Sequence, residues 1–347
     1  MKYILYPFSN LYKLGTFFRN YLYSSGTISS VYSPLFTVSI GNLSWGGTGK
    51  TPLCEWMLKW AHGNKLSPMV ITRGYRGRPP FYPYVVDSKT SPLYSGDEPL
   101  MLYNNCPFAK IIVDQKRERG IYFGWKKFKP DIAILDDGFQ YRKVKKHLDI
   151  LVFSGDDITK NWNKIIPYGP FRESSSSINR AQILCVNSTG HRPKDLLVRI
   201  NERLKPYRKP IYVFHVEIKK IISVHKKQKV SNSIDNYILV TGIGNPNRVL
   251  NSTVNFLNKH PKEFLAYSDH YIYKKKDWEF IWQVAKNKRA IVLCTPKDAV
   301  KLMKFAHKDL YTFELNISFE TKMNTNEEFE ELLGKAILEY KSSHGHV

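Results

Sequence analysis

The segment richest in chemical content is SIGNLSWGGTGKT, residues 39–51. Glycines at this density let a backbone curl until several N–H groups converge on phosphate oxygens, and a helix starting there adds its partial positive end. Gly46, Gly47, Thr48 and Gly49 would supply the cradle. Lys50 would reach the β- and γ-phosphates of a nucleoside triphosphate, and the Thr51 hydroxyl would hold magnesium. The pattern G-x-x-x-x-G-K-S/T asks for glycine at position 44, where this chain carries Ser44. A second segment, DIAILDDGFQ at 131–140, is an apolar run ending in two acids, Asp136 and Asp137. An acid at that place in a P-loop protein binds magnesium directly or through water. Side chains of adjacent residues diverge, so one acid would serve the metal and the other the nucleophile. Which is which stays open.

A loop of this kind works between a strand and a helix, and the flanking residues provide both. LFTVSI at 35–40 is a β-branched run, and a helical pattern extends from Pro52 to about Ala61. Further strands are expected at 69–72, 110–113, 131–135, 148–153 and 181–186, with a basic helix around 115–127. Near-continuous apolar runs separated by helices indicate a parallel sheet covered on both faces. Residues 210–230 alternate and bend like a two-stranded ribbon. Strands then return at 237–241, 263–267 and 290–294, with helices near 247–259, 276–286 and 297–305. The expected architecture is α/β. A P-loop NTPase-like parallel-sheet domain (25–209) is joined by a β-ribbon linker (210–230) to a second, smaller α/β domain (231–347). A ribbon also allows the chain to cross twice, so that a C-terminal helix at about 326–341 returns to the first domain. SSSSIN at 174–179 is expected to be a mobile surface loop.

Residues 1–24 contain no acid and carry Lys2, Lys13 and Arg19 among apolar and aromatic positions. Lys13 and Arg19 break the ~20-residue apolar span that a transmembrane helix needs, and a signal-peptide core is not formed. The segment suits a membrane interface, or an amphipathic helix docked on the core. Pro7 and Gly15 argue against one long helix. The 347-residue chain has 53 Lys and Arg against 30 Asp and Glu, a net charge of +23, and 14% aromatics. That composition excludes a disordered, collagen-like or coiled-coil protein and implies a polyanionic partner, either nucleic acid or an anionic membrane. Cys54, Cys106, Cys185 and Cys294 form no C-x-x-C pair, which points to buried thiols rather than a zinc site or a disulfide framework.

GTP-specific proteins carry N/T-K-x-D after a later strand. The nearest text here, TPKD at 295–298, has the wrong order, which favours ATP. GNLSWGGTGKTP, TRGY at 72–75, SGDEP at 95–99, DDGFQ at 136–140, PYGPFRE at 167–173, TGIGNP at 241–246, SDH at 268–270 and TPKD follow one another in order. The series resembles the tetraacyldisaccharide 4′-kinases, the lipid A 4′-kinases of Gram-negative bacteria, from about residue 36 to 305. The resemblance implies ATP and Mg2+, with transfer of the γ-phosphate to the 4′-hydroxyl of tetraacyldisaccharide 1-phosphate, an acylated glucosamine disaccharide. It also implies a peripheral, monotopic place on the cytoplasmic face of the inner membrane, with that anionic surface as partner. Neither nucleic acid nor an obligate protein partner is expected.

By the same resemblance, Asp97 and His270 face each other across the interdomain cleft, the Asp orienting the His as it accepts a proton. Arg117 and Arg172 are candidates for gripping the negative charge of ATP or of the lipid 1-phosphate, because guanidinium holds phosphate bidentately. Gln140 and Glu98 are candidates for orienting these groups, and the turn from Thr241 to Asn245 for touching the nucleotide. Tyr271 stands where many relatives have a second histidine. The rivals are a soluble P-loop ATPase that binds nucleic acid and a non-catalytic membrane scaffold. The basic residues scatter in short runs, such as those at 143–146 and 274–276, which suits solvated faces rather than one nucleic-acid stripe. Lys50, Thr51 and the Asp pair speak against a scaffold.

Overall fold

The computed structural model describes residues 5–225, 234–306 and 309–344. The chain starts with α1 (Tyr6–Ser24) and β1 (Val31–Tyr32), and then β2 (Phe36–Gly41) runs through the glycine loop into α2 (Lys50–Gly63). Next come β3 (Pro68–Thr72), β4 (Tyr84–Val85), α3 (Pro92–Ser95), α4 (Asp97–Asn105), β5 (Lys110–Val113), α5 (Arg117–Phe128), β6 (Ile132–Asp136) and β7 (Val144–Lys145). β8 (Leu148–Ser154), α6 (Gly155–Thr159), β9 (Ile183–Asn187) and α7 (Pro193–Arg203) complete the first half. After β10 (Ile211–Ser223) follow β11 (Tyr237–Thr241), α8 (Pro246–Leu257), β12 (Glu263–Ala266), α9 (Lys275–Asn287), β13 (Ile291–Cys294) and α10 (Pro296–Leu302). The chain closes with β14 (Leu310–Met323) and α11 (Phe329–His344).

Twelve strands form one sheet in the order β12-β11-β13-β14-β10-β9-β8-β2-β6-β3-β5-β4. Every neighbouring pair is parallel except β10 with β14 and β4 with β5. Successive side chains leave a strand on opposite faces. Ile150 and Val152 of β8 therefore join Leu53 and Met57 of α2 on one side. Leu151 and Phe153 join Leu196 and Ile200 of α7 on the other. Both faces are dry, which is why these strands read as unbroken apolar runs. In the second half, Ile238 and Val240 of β11 pack with Trp278 and Ile281 of α9, while Leu239 packs toward Val249 and Leu250 of α8.

The ribbon exists, but not within 210–230. Residues 211–223 are one strand, and its antiparallel partner is the far segment 310–323. Alternation alone cannot tell a hairpin from a strand whose partner is distant. Residues 226–230 of that expected ribbon, and 1–4 of the N-terminal segment, lie outside the described residues. After β14 the chain packs Phe329, Leu333 and Ile337 of α11 into the same core as Leu53 and Met57 of α2.

Other expectations need correction. SSSSIN is not a free loop: residues 175–180 form a 3₁₀ helix with Ser177 and Ile178 buried. Pro7 and Gly15 do not break α1, a single 19-residue helix. Pro7 sits in its first turn, where its missing N–H costs nothing. The run at 143–146 is not wholly solvated either, since Lys146 is buried against Asp149 at 3.1 Å. The four cysteines are buried and free.

Candidate active site

The glycine loop has the backbone that phosphate binding needs. Gly49 caps α2 with φ 99°, a left-handed value that other residues avoid. A Cβ there would lie 2.6 Å from the Asn187 side chain, so bulk is excluded as well as strain. Gly46 also has a positive φ. Ser44 does not, so its conformation needs no glycine, and the residue is buried and bridged to Phe171. The departure from the consensus at position 44 is thus accommodated. Trp45, Gly46 and Gly47 are exposed, and Thr48 and Thr51 are buried beneath them. Among the described residues the Thr48 hydroxyl has no partner.

Lys50 is held ready rather than loose. Its Nζ donates to Asn42 Oδ1 at 2.9 Å and lies 3.6 Å from Asp137. Arg172 forks onto Asp137 at 2.8 and 2.9 Å and also donates to the Asn42 carbonyl at 2.9 Å. Asn42 is buried and accepts from Lys50, Arg172 and Gln140. The motif GNLS named its loop but not this role as a hub.

The two acids have diverged. Asp136 is buried at the end of β6 and accepts from the Thr72 hydroxyl at 3.0 Å. Burial, then the charges of Glu98 and Asp137, push its carboxyl up to about 6. Asp137 is also drawn upward by burial, but the Arg172 hydrogen bond and the Lys50 charge outweigh this and hold it well below the usual carboxylate range. One acid therefore has excess negative charge around it, and the other is already neutralised by cations. The donor set fits a magnesium ion: a buried carboxylate short of positive charge, with the Thr51 hydroxyl on the neighbouring helix start. Among the described residues no three His, Cys, Asp or Glu side chains converge as ligands.

The second centre is built on α4. Asp97 and Glu98 occupy its first turn, where a helix favours carboxylates. Gly96 ahead of them has φ 85°, and a Cβ there would sit 2.6 Å from the Tyr75 carbonyl. Asp97 Oδ2 lies 3.2 Å from His270 Nδ1. His270 stands after β12 in a left-handed conformation, φ 56°. Its backbone N–H donates to Gly242 O at 3.0 Å, and Arg76 donates to the carbonyls of Asp269 and His270, both at 3.3 Å. Glu98 pairs with Lys297 of α10. Burial raises the Glu98 carboxyl, but Lys297, then Lys50 and His270, bring it below its ordinary value. Glu98 thus lies in the electrostatic reach of both the phosphate loop and the Asp97–His270 pair.

Two expected residues are placed differently from the rest. Arg117 is fully buried. It donates to the Asp114 carbonyl at 2.8 Å and lies 5.5 Å from the Tyr141 ring centre, and among the described residues its Nε and Nη2 have no partner. It is neither a solvated surface arginine nor open to the cleft. The Gln140 side chain donates to Asn42 O at 2.9 Å, which ties two loops together. Tyr271 packs against Tyr267 and Tyr273, and its hydroxyl donates to Asp277 at 3.4 Å. Lys297, Lys301, Arg76 and Asn42 carried no role in the sequence reading. The i, i+4 spacing of the two lysines behind Thr295 was the available signal.

A phosphate-cradling strand–loop–helix, a poised lysine, a divided acid pair and a carboxylate-oriented imidazole define a P-loop phosphotransferase whose acceptor has a proton to lose. The model of the family described as tetraacyldisaccharide-1-P 4′-kinase matches residues 1–337. A tetraacyldisaccharide 4′-kinase of Nitratidesulfovibrio vulgaris is 36% identical over 302 residues, covering 85% of this chain and 84% of that protein. One from Oleidesulfovibrio alaskensis is 32% identical, covering 92% and 89%. Among solved structures, LpxK from Aquifex aeolicus in complex with ATP aligns with a TM-score of 0.77 at 26% identity, over 97% of this chain and 98% of that one. This chain belongs to the tetraacyldisaccharide-1-P 4′-kinase family.

Proposed function

We propose that this chain transfers the γ-phosphate of ATP to the 4′-hydroxyl of tetraacyldisaccharide 1-phosphate, in lipid A biosynthesis, with Asp97 and His270 activating that hydroxyl. An ionised carboxylate can only accept, so His270 Nδ1 carries the proton in its contact with Asp97. Nε2 is then left with its lone pair for the acceptor hydroxyl. Lys50 and the loop amides bind the phosphates, and Arg172 keeps Asp137 and Asn42 in register beneath them. Asp136 and Thr51 would hold magnesium, which would supply charge neutralisation to the phosphates. Arg117, closed off from the cleft, grips neither the nucleotide nor the acceptor's 1-phosphate, and its charge acts on Asp136 and Asp137 from within the core. The observation that carries this reading is the Asp97–His270 contact beside Glu98, whose charge environment includes Lys50.

The acceptor is acylated, so it resides in a membrane, and α1 supports a peripheral place on an anionic inner-membrane surface. Among the described residues no helix is long and apolar enough to cross a membrane. α1 nevertheless exposes Phe8, Leu11, Leu14, Phe17, Phe18 and Tyr21. It is tied to the site loop: Arg19 donates to the Gln140 carbonyl at 2.7 Å, and Arg142 donates to the Asn20 carbonyl at 2.6 Å. A cleft of about 700 Å³ lies between α1 and the 174–180 turn, with Lys13, Arg142 and Arg180 in its wall. Apolar residues beside cations suit acyl chains beneath anionic headgroups.

The test is transfer of label from γ-labelled ATP to detergent-dispersed tetraacyl glucosamine disaccharide 1-phosphate, with Mg2+. The expected product carries a new phosphate monoester at the 4′ position by phosphorus NMR. ATP hydrolysis without lipid labelling would reject the reading.

A further inference from the structure

We propose that Lys301 is a positioning residue for proton transfer, its ammonium fixing the Asp97 carboxylate against His270 from the far side of the cleft. The inference rests on the assignment of Asp97 and His270 as the proton-accepting pair.

The Lys301 side chain is 7% exposed. A buried ammonium is retained only with compensating charge. Two carboxylates provide it: Asp298 Oδ1 at 3.1 Å and Asp97 Oδ2 at 3.5 Å. Their situations differ. Asp298 belongs to the same helix and is already satisfied, accepting from Thr295 Oγ1 at 2.6 Å, Gly242 N at 3.0 Å and the Tyr273 hydroxyl at 3.1 Å. It is a fixed anchor. Asp97 belongs to α4 in the other half, and the oxygen that meets Lys301 is the same Oδ2 that meets His270. The Tyr273 ring, 5.3 Å from the ammonium, limits its movement. One turn earlier on α10, Lys297 takes Glu98 as its own partner. The two lysines therefore divide the two adjacent carboxylates, and Lys301 is left to Asp97.

The groups that face Asp97 are His270, Lys301 and, at longer range, Lys297, with Glu98 beside it on α4. Burial would raise the Asp97 carboxyl. The His270 hydrogen bond and the charges of Lys301, His270 and Lys297 outweigh this and lower it. A proton on Asp97 Oδ2 would turn that oxygen from an acceptor into a donor toward Nδ1, and the imidazole would lose its tautomer and its aim. Lys301 guards against that outcome, although nothing in its placement brings it to the reacting atoms.

The experiment compares Lys301→Gln, Lys301→Arg and His270→Ala with the intact enzyme, in the lipid phosphorylation assay across pH. Thermal melts check folding, and Lys301→Met replaces the Gln variant if that one does not fold. For the neutral variant, kcat should fall roughly ten- to hundred-fold, the effect of a misaligned reacting group. KM for ATP should change less than about two-fold, because phosphate binding is separate. The acidic limb of the kcat profile should move to higher pH, and Lys301→Arg should recover most of the rate. A slow His270→Ala beside a folded neutral Lys301 variant with wild-type kcat and pH profile would overturn the role of Lys301 alone. His270→Ala at wild-type rate would remove the base assignment and this inference together.

Discussion

His270 Nδ1 and Asp97 Oδ2 are 3.2 Å apart, although 173 positions separate the two residues in the chain. The sheet makes this contact. β10 and β14 pair antiparallel over their length and carry β11, β12 and β13 as a continuation of the P-loop sheet. The loop after β12 and the start of α10 then lie over the N-terminus of α4. Arg76, Glu98 with Lys297, and Asp97 with Lys301 add three more contacts between the same surfaces. The Asp97–His270 pair is thereby assembled from two halves of the chain beside a glycine loop that belongs wholly to one.

Lys50→Ala removes the cation that Asn42 and Asp137 hold over the loop. Phosphoryl transfer depends on positioning and charge stabilisation. The expected loss of kcat is on the order of a hundred-fold or more, from the scale of losing one preorganised charged donor. Steady-state kinetics with saturating lipid measures it. A variant with full turnover would contradict the assignment of the loop.

The raised carboxyl of Asp136 has a thermodynamic consequence of definite sign. An unfolded Asp titrates near ~3.9, and in the fold Asp136 titrates at about 6. Between these values the native state binds more protons than the unfolded one, so stability falls as pH rises from about 4 to about 6. The penalty is fully present above that window. Asp136→Asn should therefore melt at higher temperature than the parent at pH 8 without nucleotide or metal. The difference should shrink as the pH approaches about 4, and lipid phosphorylation should be lost. Calorimetry at the two pH values decides, and an Asn variant less stable at pH 8 would refute the electrostatic account.

Magnesium should reverse that penalty in the parent protein. Mg2+ with a non-hydrolysable ATP analogue should raise the melting temperature more at pH 8 than the analogue does with EDTA. Asp136→Asn should show a smaller Mg2+-dependent increment. Equal increments in the two proteins would place the metal elsewhere.

α1 presents its apolar side chains to the exterior while its Arg19 and Asn20 reach Gln140 and Glu173. Leu14→Glu with Phe17→Glu should lower flotation with phosphatidylglycerol-containing vesicles by about ten-fold, given the apolar area removed and the two negative charges added. The helix should remain, since both positions are exposed. Unchanged flotation would locate the membrane contact on another face.

Much of this architecture was legible in the residues, for identifiable reasons. The strands of the first half announced themselves because parallel strands buried on both faces are apolar throughout, as in Ile150 to Phe153. The left-handed turn at Gly49 and the helix start at Lys50 were legible because a glycine-rich run between a strand and a helical pattern constrains the backbone. The partner of β10 was not, because it lies far along the chain and alternation carries no address. SSSSIN looked mobile because serine composition says nothing of the contacts that bury Ser177, whose hydroxyl donates to Glu173 at 2.8 Å. The division between Asp136 and Asp137 was invisible for a similar reason. It arises from Arg172, Lys50 and Glu98, which arrive from three other segments. Asn42 and Lys301 were missed because one amide and one lysine gain meaning only from what surrounds them.

The pairing of Asp97 with His270 is tested most directly by single-turnover rapid-quench measurement of phosphate transfer in His270→Ala, with ATP affinity measured in parallel. The rate of the chemical step should fall by about a hundred-fold or more, as for loss of a positioned general base. ATP affinity should stay within about three-fold, since the nucleotide is held by the loop. Transfer at the wild-type rate, or a loss explained entirely by weaker ATP binding, would contradict the account.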